Sequence, residues 1–78
     1  MSQNLTQIMY DALFHKYQSQ MLEAEASLMV YFTSSVGIGE HPQHSEEMDK
    51  LVEKIANAKD KLETLHEFKK YRLPNYGN

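Results

Sequence analysis

The stretch Val36-Gly37-Ile38-Gly39-Glu40-His41-Pro42 divides the chain into two long segments of helical character. Two glycines supply the backbone freedom of a sharp turn, and a proline suits the first turn of a following helix. No glycine or proline interrupts residues 4–33 or 43–71. The sequence therefore predicts an all-α fold in which two helices form an antiparallel hairpin.

The expected organisation is one domain over residues 1–78. It comprises a helix over about 4–33, a turn over 34–41, a helix over about 42–71 and a tail over 72–78. A chain of 78 residues without cysteine builds a small core and has no disulfide to support it. A partner chain is the common alternative support, so we expect the hairpins to assemble into an oligomeric helical bundle.

Apolar residues recur in both segments at alternating spacings of three and four, which is the pattern of helices that pack as a coiled coil. The first set is Tyr10, Phe14, Tyr17, Met21, Ala24, Leu28 and Tyr31. The second set is Met48, Leu51, Ile55, Ala58, Leu62 and Leu65. Four further residues are expected to widen the first set on its flanks: Leu13, Leu22, Met29 and Phe32.

The two segments differ in charge. Only four charged residues precede Thr33, whereas 15 lie from Glu40 to Arg72. A helix with few charges and a wide apolar face is usually covered on more than one side, and tyrosines are common at interfaces. We therefore predict self-association, or docking on another protein, through the first helix. The predicted interface residues are Tyr10, Phe14, Tyr17, Met21, Leu28, Tyr31 and Phe32. Packing within the hairpin is the alternative explanation for the tyrosines.

Composition argues against several classes of partner. The net charge is −3, and the one compact basic cluster, residues 69–72, is explained by the preference of cations for a helix C-terminus. No apolar run approaches the ~20 residues of a membrane span. Met1–Asn4 carry no positive charge ahead of an apolar stretch, so no secretory signal is expected. These features predict a soluble intracellular protein that binds neither nucleic acid nor membrane.

Gly37, Ile38, Gly39 and His41 are the candidate ligand-binding residues. Backbone N–H groups ahead of a helix can hold an anion. The lysine and hydroxyl of a P-loop are absent, and Glu40 would repel a phosphate. The preferred explanation is a structural turn.

His41 and His44 are spaced to share a metal with Glu40 or Glu47, but no further well-placed ligand is evident. The preferred explanation is a His41 near the helix start and a solvated His44. No nucleophile elbow surrounds the serines. We predict no catalytic residue, no metal and no cofactor.

The turn Val36–Pro42, together with residues 48–56 and 60–65, resembles small uncharacterised proteins of tailed bacteriophages. The resemblance covers roughly residues 29–65. It implies a viral origin, a location in the host cytoplasm or the virion, and a phage or host protein as a further partner. The expected function is that of a non-catalytic hairpin acting by self-association and protein binding, as an accessory or virion-associated protein. The alternative is an anti-defence sponge that binds a cyclic oligonucleotide, or a similar phosphorylated signal, in pockets between chains.

Overall fold

A computed structural model of the chain describes residues 4–34 and 42–73. Helix α1 spans Leu5–Thr33 and helix α2 spans Pro42–Tyr71. The two helices pack against each other extensively, and the described residues contain no strand. The predicted all-α hairpin is confirmed. Of the turn predicted over 34–41, Ser34 is extended and residues 35–41 lie outside the described residues.

Helix α1 begins where the sequence offers a capping side chain. Asn4 has extended backbone angles, and its Oδ1 accepts a hydrogen bond from the backbone N–H of Gln7 at 2.8 Å. This bond satisfies one of the N–H groups that a helix start leaves without an intrahelical partner. At the other end the Thr33 hydroxyl donates to the carbonyl of Met29 at 2.8 Å, and the chain turns extended at Ser34.

Helix α2 starts at Pro42, whose fixed φ suits a first helical position. Lys69 and Lys70 lie in its last turn, where the helix dipole favours positive charge. The backbone N–H of Leu73 donates to the carbonyl of Phe68 at 3.0 Å. The backbone N–H of Arg72 donates to the same carbonyl at 2.8 Å, so two bonds converge on Phe68 O at the end of the helix.

One narrow seam joins the helices. The residues that the spacing of three and four predicts are half-buried or buried, and all other apolar residues on the outer sides are exposed. Ala24 and Ala58 are the only buried residues among those whose burial is described. His44 and Lys69 extend the half-buried series of α2 beyond its predicted ends. Two helices alone bury only one stripe each, so the core is thin.

Ring contacts along the seam show that the helices are antiparallel. At the Ser34 end of α1, the rings of Tyr31 and His44 meet edge to face with centroids 5.6 Å apart. Towards the free ends, the ammonium groups of Lys61 and Lys69 lie over the rings of Tyr17 and Tyr10, at 5.4 and 5.7 Å. The contacting residues of α1 therefore decrease in number from 31 to 10 while those of α2 increase from 44 to 69, as in antiparallel helices.

Candidate interaction surface on the first helix

Six of the seven predicted interface residues lie in the seam between the helices. Tyr10, Phe14, Tyr17, Met21, Leu28 and Tyr31 are half-buried. Phe32, the seventh, is 70% exposed. The six seam residues therefore serve the packing of α1 on α2, and contact of the seven with a second chain stays a prediction.

The expectation that Leu22 and Met29 flank this seam is wrong. They are 55% and 62% exposed. At about 100° per residue, both lie more than about 100° round the helix from the centre of the seam. Leu13 does lie closer to the seam and is 39% exposed. Leu22 and Met29 belong to a different face of α1.

That face is a second stripe with the same alternation of three and four, which we call the outer stripe of α1. Its residues are Leu5, Ile8, Ala12, His15, Ser19, Leu22, Ala26, Met29 and Thr33. All nine are exposed, and none is an acid, a lysine or an arginine. Met9 and Val30, at 59% and 63% exposure, add apolar surface beside it. Helix α1 thus carries the seam on one side and, on the opposite side, a mainly apolar stripe that also contains His15, Ser19 and Thr33; α2 covers only the seam.

The equivalent face of α2 has the opposite character. The positions facing away from the seam are Glu46, Asp49, Glu53, Ala56, Asp60, Glu63, Glu67 and Lys70, here called the acidic stripe. All eight are exposed. Like charges three or four residues apart repel each other along this stripe. The charged helix therefore faces water, and the hairpin is strongly two-sided.

A groove of about 400 Å³ opens beside the seam at its middle. Small side chains leave this space, because Ala24 and Ala58 form part of its wall. Its polar lining consists of Gln20, Glu23, Ser27, Lys54, Asn57 and Lys61. The volume is at the lower end of that of small-molecule sites.

The candidate ligand residues Gly37, Ile38, Gly39 and His41 lie outside the described residues. His44 is half-buried against Tyr31, so the expectation of a solvated imidazole is wrong. In residues 4–34 and 42–73 no group of three or more His, Asp or Glu side chains is placed to hold a metal ion. Neither described helix is long and apolar enough to cross a membrane.

One ion pair lies near the start of α2. Lys50 Nζ lies 4.0 Å from Glu47 Oε2, one helical turn away, with both side chains more than half exposed. Exposed pairs of this kind contribute little to stability. The start of α2 therefore offers no rigid charged site.

The sequence pattern contained the signal for the outer stripe. Counting from Leu5 in steps of three and four gives a second complete series free of charge, parallel to the series that begins at Tyr10. The aromatic residues drew the interface prediction to the seam instead. Comparisons of the chain with protein family models, curated proteins and solved structures found no match.

Proposed function

We propose that this chain is a non-catalytic helical hairpin of phage origin that acts by self-association and protein binding. The observation that carries the proposal is the outer stripe of α1, nine exposed residues without a formal charge along a whole helix. Exposed apolar surface of this continuity marks a site of protein interaction in soluble proteins. A surface helix that packs on one neighbour normally turns a charged face to water, as α2 does.

The charge distribution supports α1, and not α2, as the association surface. Two acidic stripes brought face to face would repel each other, and each carboxylate would lose hydration. The outer stripe of α1 has no such penalty. Leu22 lies near its middle and is the natural position at which to test it.

The test is the native mass of the wild-type chain, measured by native mass spectrometry across a range of concentrations. We expect a homo-oligomer that dissociates on dilution. Leu22→Lys places a charge in the outer stripe and should give a monomer. The matched control is Ala56→Lys, which adds the same charge to the outward face of α2 and should leave the oligomer intact. Circular dichroism checks that both variants keep their helices.

A wild-type chain that stays monomeric at all concentrations would contradict self-association. Equal masses for wild type and Leu22→Lys would contradict the assigned surface. Charged replacements of Phe14 or Tyr17 act differently, because both lie in the seam with α2. They should unfold the hairpin as well as dissociate it.

The phage origin is supported by the resemblance of the Val36–Pro42 turn and of the second helix to small phage proteins. The corresponding location is the virion or the host cytoplasm. Mass spectrometry of purified particles and of infected-cell extracts distinguishes the two. Presence in particles would indicate a virion component, and presence only in early extracts would indicate an accessory protein.

The second candidate function is a sponge for a phosphorylated signal, and the groove beside Ala24 and Ala58 favours it. Lys54 and Lys61 supply positive charge there, while Gln20 and Asn57 supply amide groups that can donate and accept hydrogen bonds. A thermal-shift panel of cyclic di- and trinucleotides tests this function. Stabilisation that Lys54→Met abolishes would support it, and no shift with any nucleotide would count against it.

A further inference from the structure

We propose that the outer stripe of α1 binds the outer stripe of a second copy, antiparallel, about a two-fold axis near Ser19. The inference rests on the proposed self-association and adds its partner, its direction and its contacting residues. The two α1 helices then lie in the middle of a four-helix assembly, and the two α2 helices lie outside with their acidic stripes towards water. Four lines of reasoning lead to this arrangement.

The first is area. Six large apolar side chains on and beside the stripe are each between 49% and 69% exposed: Leu5, Ile8, Met9, Leu22, Met29 and Val30. Each exposes on the order of 100 Å². One copy therefore offers about 600 Å² of apolar surface, and two copies together offer about 1,200 Å² for burial. This is within the range of stable protein interfaces.

The second is shape. Ala12, Ser19 and Ala26 recur every seven residues along the stripe, each followed three residues later by a larger side chain. Small residues at regular spacing let two helix backbones approach closely, while the larger residues fill the space between them. The seam within the hairpin shows the same principle, because Ala24 and Ala58 are its most buried residues.

The third is charge complementarity along one flank of the stripe. Met9, Lys16, Glu23 and Val30 occupy equivalent positions seven residues apart. When two identical helices run antiparallel, this flank faces the same flank of the partner. Lys16 then lies opposite Glu23 of the partner subunit, and Met9 lies opposite its Val30. Each pairing occurs twice by symmetry, and such flanking charges set the direction of paired helices.

The fourth is the mismatch of the parallel alternative. In a parallel pair this flank faces the other one, which carries Asn4, Asp11, Gln18, Glu25 and Phe32. Lys16 would then face the acid Asp11 of the partner subunit. Met9, however, would face the amide Asn4, and Val30 would face the carboxylate Glu25. The antiparallel pair matches every position of this flank and sets Asp11 of the other flank opposite Phe32 of the partner subunit, whereas the parallel pair matches only Lys16 of this flank. The sequence of the stripe therefore favours an antiparallel dimer.

The test uses the absence of cysteine from the chain, since single cysteines can be introduced without background. Each of the variants Ile8→Cys and Met29→Cys is treated alone with a bismaleimide spanning about 10 Å. The two variants are then mixed, allowed to re-equilibrate, and treated in the same way. In the antiparallel pair two copies of residue 8 are about 30 Å apart, as are two copies of residue 29, whereas residue 8 lies beside residue 29 of the partner. We expect cross-linked dimer in the mixture and little in either variant alone.

The outcomes separate this inference from the function on which it rests. Cross-linking of each variant with itself in an intact oligomer would show parallel pairing and overturn the inference, while self-association stands. Absence of any oligomer of the wild-type chain would overturn both. Cross-linking at Ala56→Cys, without cross-linking at either α1 position, would assign the association to α2 and also overturn the inference.

A charge exchange tests the same arrangement without cysteines. Lys16→Glu should raise the dimer dissociation constant about tenfold, because two symmetric attractive pairs become repulsive. Adding Glu23→Lys should restore it, since the exchanged pair has the same complementarity. Lys59→Glu on α2 is the control for net charge and should change the dimer dissociation constant little. A double variant that does not recover the wild-type dissociation constant would contradict the antiparallel contact.

Discussion

Ala24 of α1 and Ala58 of α2 lie on the wall of the same groove and are 4% and 2% exposed. No larger side chain of the described residues is buried to this extent. The most buried described positions of the seam are therefore occupied by its smallest side chains. Stability of the hairpin depends on keeping those two positions small.

Ala58→Leu should destabilise the hairpin by about 2 kcal/mol, because added methylene groups overpack a side-chain position that is 2% exposed. For a domain of this size, that loss lowers Tm by roughly 10 °C. Thermal unfolding followed by circular dichroism measures it. The control is Ala56→Leu, an exposed position two residues earlier, which should shift Tm little. Equal shifts for both variants would argue against close packing at Ala58.

Asn4→Ala should lower the free energy of unfolding by about 1 kcal/mol, since the N–H of Gln7 loses the Oδ1 that accepts its hydrogen bond at 2.8 Å. Asn4→Asp keeps an acceptor at the same place and should retain most of the stability. Urea denaturation of the three proteins gives the comparison. If alanine and aspartate were equally harmful, the amide nitrogen and not the capping oxygen would be the stabilising group.

Lys61→Met should destabilise the hairpin by about 0.5 kcal/mol, because the ammonium group lies 5.4 Å from the centre of the Tyr17 ring. Methionine retains most of the aliphatic stem and removes the charge. Lys59→Met removes the same charge from an exposed position two residues earlier and serves as the control. Chemical denaturation of both variants tests the contact, and a loss of equal size in each would trace the effect to net charge.

Asp60→Lys should stabilise α2 by about 0.5 kcal/mol. The change removes a repulsion with Glu63, one turn further along the acidic stripe, and introduces a better helix former. The electrostatic part of the gain should shrink in 0.5 M salt, where the Debye length is only a few Å. Asp60→Asn separates charge from helix propensity. Denaturation curves at low and high salt measure both, and a gain independent of salt would leave propensity as its sole source.

The fold follows from features that are local in the sequence. An uninterrupted alternation of three and four starting at Tyr10, a glycine-containing break, and a second alternation starting at Met48 leave an antiparallel hairpin as the simplest arrangement. Asn4 and Pro42 mark helix starts by chemistry that operates within a few residues. These elements could be predicted because neither depends on distant contacts.

The uncovered face of α1 was harder to predict, because helical periodicity alone does not choose between its two stripes. The scarcity of charge before Thr33 indicated a face in need of cover, and the aromatic side chains at Tyr10 and Phe14 drew the prediction to the side of α1 that packs on α2. They are large enough to fill the gap between two helices, and that is where they lie. Only the position of α2 identifies Leu22 and Ala26 as the uncovered face.

The acidic stripe also bears on how far assembly can proceed. In the proposed pair, the two outer surfaces are the acidic stripes of the two α2 helices. Each of them repels the acidic stripe of any further pair. Stacking beyond four helices therefore meets a rising electrostatic barrier. The proposed product is therefore a closed particle of fixed size, not a growing fibre, and its negative exterior favours colloidal dispersion.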